Sequence, residues 1–166
     1  NMWDWEKNAT WKFLRLENGV PTIYKRFLAN CKHNGFENKI LPINATTSVG
    51  IKLLQRLLSQ KRISTMPNYI YLDSAHEEHE TFIELLLCWN ALQNNSIIFG
   101  DDWRWDAVRN DVIKFSTHIK NVTNYSLMND IHKKMVGSEI HNENILLYKG
   151  QWMMFDVNNI INLMYT

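Results

Sequence analysis

YIYLDSAHEEHETFIELLLCWNALQNNSIIFGDDW, residues 69–103, holds two short apolar runs that each close on an acid, with one helical stripe between them. Tyr69–Leu72 is aromatic and β-branched and is followed by Asp73; Ile97–Gly100 repeats the pattern and is followed by Asp101 and Asp102. Short continuous apolar runs are what strands buried on both faces require. Between them Phe82, Leu86, Trp89 and Leu92 recur at helical spacing, and the acids of HEEHE precede them, where the helix dipole favours negative charge. Asp73 and Asp101 stand 28 positions apart, about the length of one βαβ unit, whose right-handed crossover lays two strands parallel and side by side. The stretch therefore predicts an α/β sheet with acids at neighbouring carboxyl ends, the place where open α/β sheets hold ligands.

Upstream, ATTSVGIKLLQRLLSQ, residues 45–60, puts Val49, Leu53, Leu54, Leu57 and Leu58 on the stripe of an amphipathic helix. The run KILPIN, residues 39–44, predicts a short strand before it. Ile23, Phe27, Leu28 and Cys31 recur at helical spacing over Thr22–Lys32, with Gly35 placed to cap the end. Downstream, Val108, Val112 and Phe115 predict a helix from Trp105 to His118, and the polar stretch 121–144 predicts loop or a short irregular helix. ILLYKGQWMMFDV, residues 145–157, alternates about Lys149–Gly150 and predicts a β-hairpin.

With 166 residues, 45% apolar and 12% aromatic, the chain suits a single domain spanning 1–166 with a real core. The net charge of +1 comes from interspersed acids and bases, so no basic surface for nucleic acid or an anionic membrane is expected. No apolar stretch approaches the roughly 20 residues of a membrane span. Cys31 and Cys88 lack the paired spacing of a zinc or redox site and are expected as buried thiols. Together these features predict a soluble chain in a reducing, cytoplasmic setting. Sequons at Asn8, Asn44, Asn94, Asn121 and Asn124 are ascribed to the abundance of asparagine, with Asn44 expected at a buried strand end. The opening NMWDWEKN carries no cap or strand pattern, which points to a larger parent chain; a homo-oligomer is the other expectation for partners.

Asp73, Asp101 and Asp102, brought together, would repel one another, and a divalent cation such as Mg²⁺ is their natural neutraliser. The bland alternative is that strand-end acids cap the helices that follow. HEEHE lacks the spacing that sets two imidazoles one turn apart, so it reads as a solvated helix start rather than a zinc site. Trp103, Arg104 and Trp105 either line a pocket or pack under the next helix, and Trp3, Trp5 and Trp11 either form a lid or are buried.

Residues 69–115, and above all DSAH and GDDW, resemble the second half of class I S-adenosylmethionine-dependent methyltransferases. The similar branch is that of small-molecule O-methyltransferases of the catechol and macrocin type, methyltransferase family 24-like. The resemblance implies a Rossmann-like sheet with helices on both faces and a C-terminal antiparallel hairpin. It makes Asp73 the acid ending the fourth strand and Asp101 and Asp102 the pair ending the fifth, all three binding Mg²⁺. It makes His76 a candidate general base toward a substrate hydroxyl, and it places Ala45, Thr46, Asp73 and Ser74 against the S-adenosylmethionine cofactor. The implied activity is transfer of a methyl group to a hydroxyl of a small molecule or sugar, with no nucleic acid or membrane partner.

In that family the sheet runs three, two, one, four, five, seven, six. The glycine-rich turn after strand one and the acid ending strand two have no counterpart in these 166 residues. Strands one and two are thus expected to be missing, with KILPIN as the third. The departure leaves a second expectation open, a degenerate methyltransferase-like scaffold or assembly domain without catalysis.

Overall fold

The computed structural model describes residues 16–74, 76–93, 96–119, 125–142 and 144–155; Trp3, Trp5, Trp11 and the sequons at Asn8, Asn94, Asn121 and Asn124 lie outside them. The chain divides into two compact units, Asn1–Asn44 and Ala45–Thr166.

In the first unit, Leu16–Glu17 (β1) and Val20–Pro21 (β2) pair antiparallel about Asn18–Gly19. Both turn residues have positive φ, 53° and 76°, the geometry that makes Asn-Gly favourable in a two-residue hairpin. Thr22–His33 (α1) follows directly. It ends in a Schellman motif: Phe36 N–H donates to Cys31 O at 2.8 Å and Gly35 N–H to Lys32 O at 3.1 Å, with Gly35 at φ +69°. The glycine-capped helix expected over Thr22–Lys32 is present. The strand expected at KILPIN is not: residues 40–44 carry no regular structure, and Asn44 is exposed rather than at a buried strand end. A short apolar run becomes a strand only when a neighbour accepts its ladder, and Pro42 removes one donor from this one.

The second unit opens with Thr47–Ser59 (α2), followed by Tyr69–Leu72 (β3), Glu80–Trp89 (α3), Ile97–Gly100 (β4) and Asp106–His118 (α4). Tyr125–Lys134 (α5), Glu139–Asn142 (β5), Ile145–Tyr148 (β6) and Gln151–Phe155 (β7) complete it. The stretch expected as loop or a short irregular helix thus holds a ten-residue helix and a strand. Of the stripe expected on α2, Leu54 and Leu58 pack on the core beside buried Ile51, whereas Val49 and Leu53 are exposed.

Five strands form one mixed sheet in the order β3-β4-β7-β6-β5. β3 and β4 are parallel with Leu72 opposite Gly100, so Asp73 and Asp101 leave the sheet side by side as the βαβ reading required. β7 lies antiparallel between β4 and β6, and the two-residue turn Lys149–Gly150, at φ 50° and 85°, closes the expected hairpin.

Strand alternation sends the side chains to two separate clusters. Leu72, Ile98, Ile145, Trp152 and Met154 face Leu85, Cys88 and Trp89 of α3 and Val108, Val112 and Phe115 of α4. Leu146 and Phe155 point the opposite way and pack with Met128 of α5. The second unit is therefore a mixed α/β layer with helices on both faces of its sheet. Among the described residues no helix is long and apolar enough to cross a membrane.

Candidate active site

The acids are placed by a close approach at the end of β4. A Cβ on Gly100 would lie 2.5 Å from the Trp152 indole and 2.7 Å from the Leu72 carbonyl oxygen, so β3, β4 and β7 meet here only because residue 100 has no side chain. Trp152 Nε1 donates to the Asp101 carbonyl oxygen at 3.0 Å, and Trp103 N–H donates to Gly150 O at 3.2 Å. The acid loop is thereby fastened to the terminal hairpin. Asp102 adopts φ 55°, a left-handed conformation that aspartate tolerates better than most residues, and its carbonyl accepts from Trp105 N–H at 2.7 Å to close the turn.

Three ligand-bearing side chains converge on this turn. Atoms of Asp73, His76 and Asp102 all lie within 4.8 Å of one another, and His76 Nε2 sits 2.6 Å from Asp102 Oδ2. His76 precedes α3 rather than belonging to it; the helix starts after His79, which takes φ 72°. Trp105, exposed to solvent, lies with its ring 5.2 Å from the His76 imidazole and so flanks the cluster, whereas Trp103 packs against the core and meets His141 edge-on at 5.0 Å. Glu77, Glu78 and Glu80 are exposed, as a solvated helix start requires.

Asp101 lines the same small cleft but is not among the three. Its carboxylate is hydrogen-bonded to the Tyr71 phenol, a residue the sequence reading did not single out. Desolvation, that hydrogen bond and the negative charge of Asp101, Asp73 and Asp102 push the Tyr71 hydroxyl up to about 12.

A second, wider cleft of about 410 Å³ lies beside the cluster. Ala45 and Thr46, with Thr47 and Ser48 in the first turn of α2, form one wall; Ser74 lines it too, with Ile83, Glu84 and Leu87 of α3. Of the expected cofactor residues, Ala45, Thr46 and Ser74 thus share one cleft, while Asp73 lies in the small one with His76, Asp101 and Asp102. Ser74 and Glu84 line both. The Ser74 hydroxyl donates to Glu84 Oε2 at 2.6 Å and the Thr47 hydroxyl to Glu84 Oε1. Glu84 was also not anticipated, since an acid on an otherwise apolar helix reads as a solvent-facing position.

Compared with known proteins, the chain matches no protein-family model, no curated protein and no solved structure.

Proposed function

We propose that this chain carries the acceptor and metal side of an S-adenosylmethionine-dependent O-methyltransferase acting, with Mg²⁺, on a hydroxyl of a small molecule or sugar. The observation that carries the reading is the gathering of Asp73, His76 and Asp102 where two neighbouring parallel strands end, beside a cleft of ligand size. The strand order β3-β4-β7-β6, with β7 reversed, supports it, because it coincides with strands four, five, seven and six of the methyltransferase sheet.

The donor set suits the cation. Carboxylates of Asp73 and Asp102 offer the hard oxygen ligands that Mg²⁺ takes, with Asp101 on the same turn as a further carboxylate. The wide cleft suits a nucleoside: it combines apolar Ile83 and Leu87 with the hydroxyls of Thr46, Thr47, Ser48 and Ser74. When bound, the cofactor supplies an electrophilic methyl group and the cation supplies the positive charge that favours an ionised acceptor oxygen.

His76 does the proton work. Donation of its Nε2–H to Asp102 leaves Nδ1 as the proton-accepting atom, and the carboxylate stabilises the imidazolium formed when the acceptor hydroxyl gives up its proton. Trp105 lies beside the imidazole, its ring tilted by 55° at 5.2 Å.

Calorimetric titration with S-adenosylhomocysteine should show binding, and turnover on hydroxyl acceptors should require Mg²⁺. Asp102→Ala is expected to lower turnover by about a hundredfold, the size of effect typical of a lost acid-base or metal contact. Full turnover in excess chelator would remove the metal from the reading. No binding of the cofactor product would favour the scaffold alternative.

A further inference from the structure

We propose that Glu84 is a positioning residue that couples the wide cleft to the acid and histidine cluster, an inference that rests on the function proposed above. Glu84 is half-buried in α3, and each of its carboxylate oxygens accepts a different hydroxyl. Oε1 holds Thr47, the first residue of α2, next to Thr46 in the wall of the wide cleft. Oε2 holds Ser74 at 2.6 Å, and Ser74 directly follows Asp73 of the cluster. These partners are 37 and 10 residues from Glu84 in sequence, so the carboxylate joins segments that the backbone does not join locally.

The chemistry of the link is specific. An ionised carboxylate only accepts, so both hydroxyls must point their protons at it, and charge-assisted bonds of this kind are short and stiff. Thr46, the N-cap of α2, makes no side-chain capping bond, so the first turn of that helix is fastened through Thr47 instead. A ligand that presses on Ala45–Ser48 therefore moves Glu84, and Glu84 moves Ser74 and with it the Asp73 backbone. Coupling of this sort is reciprocal: occupation of either site tightens the other.

The test is the affinity for Mn²⁺, measured by calorimetry on the whole chain with and without S-adenosylhomocysteine. In the native protein the cofactor product should tighten Mn²⁺ binding by about fivefold or more, the lower range of such couplings. Glu84→Ala, with neither oxygen, should bring that ratio to within about twofold of unity. Glu84→Gln, which can accept from one hydroxyl and donate to the other, should restore it. Thr47→Val cuts a single link and should also abolish the ratio, which keeps the test open if Glu84→Ala does not fold. A purely structural role would weaken both ligands without changing the ratio, and an unchanged ratio in Glu84→Ala or Thr47→Val overturns the proposal. Binding of both ligands to the native protein without any coupling overturns it while leaving the methyltransferase reading intact. Failure of the native protein to bind S-adenosylhomocysteine strikes that reading first and this inference with it.

Discussion

Gly100 shows how one residue governs the site. Its missing side chain lets Trp152 and the Leu72 carbonyl close on the end of β4, and the same indole holds the Asp101 carbonyl. Gly100→Ala forces a methyl group against backbone as well as ring, so relief requires the strands to part. A loss of roughly 2 kcal/mol or more in denaturant unfolding is expected, at the upper end of ordinary overpacking. An alanine variant as stable as the native chain would show that β3 and β7 can separate here without cost. Tyr71 and Glu84 belong to the same scale, and neither was legible beforehand. Each acts through a partner brought near by the fold, Asp101 for one and Thr47 with Ser74 for the other, and nothing in a linear pattern announces such a partner.

At the scale of elements, α3 has an unusual beginning. His79 occupies its N-cap with φ 72° and offers no side-chain cap. The missing acceptor comes from the neighbouring helix: Asp111 of α4, 2% exposed, accepts Phe82 N–H at 3.2 Å, with His79 Nδ1 3.6 Å away. A buried carboxylate at a helix N-terminus satisfies a free N–H and meets the positive end of the dipole. Asp111→Ala should therefore cost about 2 kcal/mol by chemical denaturation, and Asp111→Asn, which keeps an acceptor oxygen, less than half of that. The elements most legible in sequence were those whose pattern is self-sufficient. Asp73 and Asp101 mark strand ends because an apolar run stops on a charge, and Val108, Val112 and Phe115 mark α4 by spacing alone. KILPIN misled because an apolar run carries no sign of whether a neighbouring strand exists, and α5 read as no more than loop or a short irregular helix because, among the described residues, its core contacts are Met128 and Ile131 within a polar stretch. The cluster was legible as acids at strand ends with His76 beside them; the turning of Asp101 toward Tyr71 was not, since it depends on which way one side chain leaves the strand.

For the molecule as a whole, two raised acids set an alkaline limit. Burial, with the charge of Glu84 behind it, pushes the Cys88 thiol up to about 12, and Tyr71 reaches the same range. Both groups hold their protons more tightly in the folded chain than in the unfolded one. Below the unfolded values neither contributes; above pH 9 for the thiol and 10 for the phenol the unfolded state releases protons first, and stability falls until the folded groups also ionise near 12. Cys88, 1% exposed, should dominate, because Tyr71 is 44% exposed and screened by water. Urea unfolding between pH 8 and 11 should show a falling midpoint, with a flatter slope in Cys88→Ala despite its lower stability throughout. A slope unchanged by that substitution would place the loss elsewhere.

The antiparallel strand β7 sits in the interior of the sheet, between β4 and β6, although it is the last described strand along the chain. A ribosome delivers residues in order, so β4 and its acid pair, which end at Asp102, emerge well before the strand that flanks them, which begins at Gln151, and before Trp152, which fastens Asp101. Until that late arrival β4 has a partner on one side only, and the pairing spans a long loop whose closure is entropically slow. The cluster is thus among the last parts of this unit to be born, and a nascent chain stalled before Gln151 would carry every acid of the site without the framework that aims them.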